Sequence, residues 1–163
     1  ETEELVQWII SENINSSYKI LDIGCGSGCI SVAIAKNLQK SKVYACDISK
    51  DALEITVKNS NLNNVDIKIL QLDILKNTLI SDEKFDIIIS NPHYVTEKEK
   101  QQMHNNVLNY EPHLALFVPD NDPLLYYRHI ADFSIVNLNK NGKLYFEINE
   151  HFGNQTIQKQ KCS

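Results

Sequence analysis

Apolar positions along this chain recur in two rhythms, a helical one and a β one, and the two alternate for most of its length. Residues 2–11 place Leu5, Trp8 and Ile9 on one helical face. Residues 18–23 are a short apolar run ending at glycines, which predicts a strand. Ile30, Ala33, Ile34 and Leu38 then share the inner face of a helix over 29–38, completing a first βα turn. The cycle repeats with a strand over 42–47 and a helix that Ser49 caps and that runs to about Leu62. Residues 67–72 predict a third strand and residues 85–90 a fourth. The fourth, Phe85-Asp-Ile-Ile-Ile-Ser90, is nearly all apolar, as a strand covered on both faces must be, and Asn91-Pro92 stops it.

Residues 95–122 break the rhythm: they are polar, contain Pro112 and Pro119, and are too long for a connector, so they read as a substrate-facing loop or lid. Asp122 followed by Pro123 marks the start of a helix reaching Ile135. After a turn at Asn141-Gly142 a fifth strand is predicted over 143–148. Residues 149–163 are too few for the antiparallel hairpin that often completes such a sheet, so a truncated or abbreviated C-terminal edge is expected. Strands separated by helical segments predict an α/β, Rossmann-like, mainly parallel sheet with helices on both faces.

Composition narrows the picture. The 163 residues are 42% hydrophobic and 23% charged, with no apolar run near the length of a membrane helix, so one soluble cytoplasmic domain is expected. The first residue is not Met, which suggests an excised piece of a longer protein. A net charge of -5 lacks the basic face that binding to a phosphate backbone requires, which disfavours nucleic acid as partner. Cys25, Cys29, Cys46 and Cys162 read as reduced thiols; no second Cys/His pair answers Cys25 and Cys29, so no metal site is expected.

The candidate chemistry lies at strand ends. Asp22-Ile-Gly24-Cys25-Gly26-Ser27-Gly28 sits where the first strand meets the next helix, and its glycines let backbone approach a ligand. The spacing is Gly-x-Gly-x-Gly, not the Gly-x-Gly-x-x-Gly that seats a dinucleotide pyrophosphate, so a nicotinamide dehydrogenase fits poorly. A nucleoside with an amino-acid tail, S-adenosylmethionine, suits the loop, with the Asp47 carboxylate placed for its ribose hydroxyls. Asp73-Ile74 follows the third strand and reads two ways: an acceptor and apolar cover for adenine, or a plain cap beside a core residue. Strand four ends in Ser90-Asn91-Pro92-His93-Tyr94. The Asn91 side-chain oxygen and the Pro92 carbonyl can each accept one N–H of a flat amide or amino group, and Tyr94 can stack on it. Asn91 also borders the cofactor. His93 either assists proton transfer or only fills the turn.

These segments together resemble the HemK-type N5-glutamine methyltransferases, over nearly the whole chain. Glu1-Thr2-Glu3, the glycine loop, Glu111-Pro112-His113, Asp122-Pro-Leu-Leu-Tyr-Tyr-Arg128 and Phe146-Glu-Ile-Asn149 all carry the resemblance. It implies the class I S-adenosylmethionine-dependent methyltransferase fold and methylation of the Gly-Gly-Gln glutamine of peptide chain release factors, an event of translation termination. The acceptor site it implies is Asn91, Pro92, His93 and Tyr94, with His93 standing where the family carries a second proline. It implies a single catalytic domain over 1–163, working as a monomer, with a small helical substrate-recognition domain expected upstream and absent from this chain. Asn-Pro-x-Tyr alone is shared with DNA adenine and RNA guanine methyltransferases, so methylation of a nucleic-acid base is one alternative. A cofactor-binding module without turnover is another, motivated by His93 and the short ends.

Overall fold

The computed structural model describes residues 2–76, 83–92, 94–96, 116–118, 122 and 124–147. The predicted alternation appears as α1 (Thr2–Asn13), β1 (Lys19–Ile23), α2 (Cys29–Asn37), β2 (Lys42–Asp47), α3 (Lys50–Leu62), β3 (Ile67–Gln71) and β4 (Phe85–Ser90). Two short strands, β5 (Tyr94–Thr96) and β6 (Leu116–Val118), pair in parallel with each other, and α4 (Leu125–Asn137) and β7 (Leu138–Phe146) follow. Among the described residues the main sheet has five strands, all parallel, in the order β3-β2-β1-β4-β7. The chain steps outward from β1 to β3 on one side and then crosses to β4 and β7 on the other, so the order reverses between β1 and β4. Open α/β sheets bind ligands at the carboxyl ends of the strands flanking such a reversal.

Alternate residues of each strand feed two cores. Ile20, Val43, Ala45, Ile67, Ile87 and Ile89 pack under α1 and α2, whereas Leu21, Ile23, Tyr44, Cys46 and Ile88 pack under α4 with Tyr126, Ile130 and Phe133. Ile20, Leu21, Ile87, Ile88 and Ile89 are at most 1% exposed, and burying each stabilises the fold by about 1.5–3 kcal/mol. Ile88→Ala is expected to lower the unfolding free energy by about 2–5 kcal/mol, read by urea denaturation with an unchanged m-value. Among the described residues no helix is long and apolar enough to cross a membrane.

The elements depart from the sequence pattern in four places, each for a local reason. Trp8 is 55% exposed, although the pattern put it on the inner face; it stands edge-on to Tyr145 at 5.3 Å and donates to Glu12 at 2.8 Å. On α2 Val32 is buried and Ala33 only half-buried. Helix α4 begins at Leu125, because the Asp122 carboxylate turns to form a two-pronged pair with Arg128 instead of capping the helix. Strand β7 begins at Leu138, where the last residue of α4 passes straight into an extended conformation. The Asn141-Gly142 turn therefore lies inside the strand as a bulge: Leu138 pairs with Phe85 and Lys143 with Ile87, and Asn141 takes a φ of 68°. Residues 97–115 and 148–163, expected to hold most of the loop or lid and the C-terminal edge, lie outside the described residues.

Candidate active site

Register brings the predicted residues to one edge. Ile23 pairs with Cys46 on one side and Ser90 on the other, so the glycine loop, Asp47 and Asn91 all leave the sheet at the same level. The Ser90 hydroxyl donates to the Ile23 carbonyl at 2.7 Å and ties the two strands together at the crossover.

The loop between β1 and α2 is held by its own backbone. The N–H groups of Gly24 and Cys25 both donate to the Cys46 carbonyl, at 2.9 and 3.0 Å, and Gly28 donates to the Cys25 carbonyl at 2.8 Å. Gly24, Gly26 and Gly28 have φ values of 70°, 55° and 77°, a region that penalises any residue with a Cβ. A Cβ on Gly24 or Gly26 would meet no atom of the described residues within 4 Å, which leaves room for a ligand to approach the backbone. Helix α3 braces the other side, with the Thr56 hydroxyl donating to the Gly26 carbonyl at 3.1 Å and Asn59 to the Ser27 carbonyl at 2.9 Å. A Cβ on Gly28 would lie 2.6 Å from the Thr56 methyl. Gly28→Ala is therefore expected to destabilise the protein by about 2–4 kcal/mol, with Thr56→Ala in the same chain restoring the steric share, measured by urea denaturation.

Three acidic side chains of the described residues lie in β1, at the end of β2 and just after β3. Asp47 is 9% exposed and accepts from the Gly26 N–H at 3.0 Å and the Ser49 N–H at 2.9 Å, one on each oxygen. Each carboxylate oxygen has a second lone pair, so hydroxyl donors can still be accepted. Asp73 closes the turn after β3: its oxygens take the Leu75 N–H at 3.1 Å and the Lys76 ammonium at 2.8 Å, and the lysine holds its carboxyl below the ordinary range. The capping reading of Asp73 is thus the contact seen, while Ile74 packs against the core under α4.

Asp22 is the third, and the sequence pattern gave it no role. It is 1% exposed; Oδ2 accepts from the Ser31 hydroxyl at 2.5 Å, while Oδ1 is buried with no hydrogen-bond partner among the described residues. Burial pushes its carboxyl from 3.8 up to about 6 despite the Ser31 hydrogen bonds. An orphaned acidic acceptor beside an open glycine loop suits a cationic group such as an ammonium. The signal in sequence was an acid in the middle of the apolar run Lys19-Ile-Leu-Asp-Ile23. Burial pushes the neighbouring Cys25 thiol up to about 12, so the loop carries no thiolate.

Across the crossover, Asn91 donates through its side-chain nitrogen to Glu147 Oε2 at 2.8 Å and to Thr2 Oγ1 at 3.1 Å. Glu147 is fixed in turn by its N–H to the Ser90 carbonyl at 3.0 Å, and its own carbonyl accepts from the Tyr127 hydroxyl at 3.2 Å. Neither Glu147 nor Thr2 was legible as a site residue from the sequence, because each reaches Asn91 from a distant part of the chain. Pro92 is half-buried beside Asn91. Tyr94 begins β5, and its side chain lies outside the described residues, as do His93, Glu1, Glu111, Pro112 and His113.

The sequence signature of the methyltransferase small domain matches residues 2–114. The chain belongs to that family. Among relatives of this methyltransferase domain, the release factor glutamine methyltransferase of Flavobacterium psychrophilum is 54% identical over 162 residues, covering 97% of this chain and 56% of that protein. The enzyme of the same name from Bacteroides thetaiotaomicron is 48% identical over 158 residues, with 97% and 56% covered. The chain thus spans just over half the length of these curated relatives. The ribosomal protein L11 methylase of Lactobacillus delbrueckii subsp. bulgaricus superposes with a TM-score of 0.67 at 21% identity, covering 99% of this chain and 66% of that one. TrmN of Thermus thermophilus superposes at 0.61 with 19% identity, over 85% and 36%. The methyltransferase domain therefore has the α/β, Rossmann-like architecture that the alternating pattern implied, in the class I form that the resemblance implied.

Proposed function

We propose that this chain is the catalytic part of an S-adenosylmethionine-dependent methyltransferase that acts on the side-chain amide nitrogen of a glutamine in a peptide chain release factor. The observation that carries this reading is the Asn91 carboxamide, anchored at the end of β4 directly across the strand crossover from an open glycine loop. The names of the relatives that cover nearly the whole chain supply the acceptor.

The donor set fits this cofactor. Asp22 Oδ1, buried and unpaired, would take the ammonium of the amino-acid tail, and the backbone of Gly24, Cys25, Gly26, Ser27 and Gly28 would lie along that tail. Asp47 would accept from the ribose hydroxyls, and the Asp73-Ile74 corner would border the adenine. When bound, S-adenosylmethionine supplies the methyl group: the acceptor nitrogen forms the new nitrogen–carbon bond, the carbon–sulfur electron pair stays on sulfur, and one proton leaves the nitrogen for water.

The chain's own residues orient the acceptor. An amide nitrogen is a poor nucleophile because its lone pair is delocalised, so both of its hydrogens must be held while it attacks. Asn91 would accept one through its side-chain oxygen and Pro92 the other through its carbonyl, which favours the positive charge that develops on nitrogen. Tyr94 would lie against the flat amide, and His93 would border the acceptor.

The test uses the full-length protein, labelled S-adenosylmethionine and three acceptors: an intact release factor, the same factor with its Gly-Gly-Gln glutamine replaced by alanine, and total RNA and DNA. Label in the first alone supports the reading. Label in nucleic acid only would transfer the activity to base methylation. Cofactor binding with no label anywhere would leave a binding module.

A further inference from the structure

The Asn91 amide has a direction, and the protein sets it. Both hydrogens of its nitrogen are engaged, one by the Glu147 carboxylate and one by the Thr2 hydroxyl. An ionised carboxylate only accepts, so it admits the nitrogen end of the amide and excludes the oxygen end. A threonine hydroxyl accepts or donates and would tolerate either. Glu147 therefore decides the orientation, and the oxygen of Asn91 is the end turned away from it.

The same face of β7 also sets where Thr2 stands. Lys143 and Tyr145 both reach Glu12 near the end of α1, at 3.0 and 2.6 Å, while Glu147, two residues further on, meets Thr2 through Asn91 at the start of α1. Ten helical residues rise about 15 Å, and four strand residues span about 13 Å, so the two elements match end to end. Leu5 and Ile9 fill the space between, at 7% and 0% exposed.

We infer that Glu147 and Thr2 are positioning residues for methyl transfer: they hold Asn91 by its nitrogen so that the acceptor meets a hydrogen-bond acceptor, with Glu147 as the determinant. The inference rests on the reading above for its kinetic test but has a readout of its own. It also states a selection rule. A nitrogen that brings hydrogens is received, and an acceptor lacking an N–H to donate is refused.

In the full-length protein, Glu147→Ala is expected to lower kcat about 10- to 100-fold, with KM for the release factor and the dissociation constant for S-adenosylmethionine within about threefold of wild type. Glu147→Gln, which keeps an oxygen for Asn91 but also offers an amide, retains more activity than Glu147→Ala. Thr2→Ser stays near wild type and Thr2→Val falls about three- to tenfold. Adding Glu147→Ala to Asn91→Ala costs nothing further, because the two act as one unit. Equal kcat in Glu147→Ala and wild type, or losses that multiply in the double variant, would overturn the inference.

The second readout is the side-chain amide proton signal of Asn91, assigned by its loss in Asn91→Ala. A carboxylate partner shifts that proton downfield, and Glu147→Gln, which preserves shape, is expected to move it back upfield. An unmoved signal refutes the positioning role even if the alanine variant fails to fold. Should wild type methylate no release factor while the signal moves, the acceptor assignment falls and the positioning role stands.

Discussion

Asn91→Ala in the full-length protein is expected to lower kcat for methyl transfer by about 10²–10³-fold, the range for removing one preorganised hydrogen-bonding group at a reacting centre. The substitution deletes the oxygen proposed to receive one N–H of the acceptor. Its structural cost is smaller. Glu147 and Thr2 each lose a donor but are only half-buried, so water reaches them and the expected destabilisation is about 1–2 kcal/mol. Rapid-quench single-turnover kinetics at saturating cofactor separate the two effects. A loss confined to cofactor affinity, with an unchanged single-turnover rate, would move Asn91 from the acceptor to the cofactor side of the site.

The second large effect concerns Asp22 and has opposite signs for stability and binding. Its carboxyl is raised from 3.8 to about 6 by burial, so the folded protein binds that proton more tightly than the unfolded chain does. The associated stability is fully present below about pH 3.8 and is lost as pH rises through about 6. Two units correspond to about 3 kcal/mol of strain in the free protein at neutral pH. Asp22→Asn removes the buried charge but leaves an amide hydrogen unpaired, so a net gain of about 0–2 kcal/mol is expected at pH 8, shrinking toward pH 5.

Urea denaturation of both proteins between those pH values reads this directly. The comparison isolates Asp22 because the other titrating groups, the five histidines included, are common to both proteins, while Glu12, Asp73 and Glu83 are shifted downward. The same variant is expected to bind S-adenosylmethionine about 10- to 100-fold more weakly, since a charged hydrogen bond to the ammonium is lost. Asp22→Asn that binds as tightly as wild type would remove Asp22 from the cofactor site.

What the sequence disclosed and what it withheld follow from locality. β4 could be read to the residue, because Phe85 to Ser90 is apolar but for Asp86 and Ser90 and is closed by Asn91-Pro92. The glycine loop and Asp47 were legible because both sit at strand ends, where spacing alone places them. The start of β7 was not, because Leu138 serves both as the cap of α4 and as a sheet residue paired with Phe85. Asp22 looked like part of a strand, and only three-dimensional burial reveals that one of its oxygens has no partner. Glu147 and Thr2 reach Asn91 across 56 and 89 residues of chain, a separation at which no periodicity carries information.

The commitment of the loop's backbone has a kinetic meaning. Gly24, Cys25, Gly26 and Gly28 already spend their N–H groups on Cys46, Asp47 and the loop itself before any ligand arrives. The conformational ordering of the loop thus falls on folding, and an incoming cofactor meets a surface with little left to rearrange. Capture of the proposed cofactor would accordingly be expected to proceed in one step, with a residence time set by the contacts proposed for Asp22 and Asp47 and not by a rearrangement of the glycine backbone.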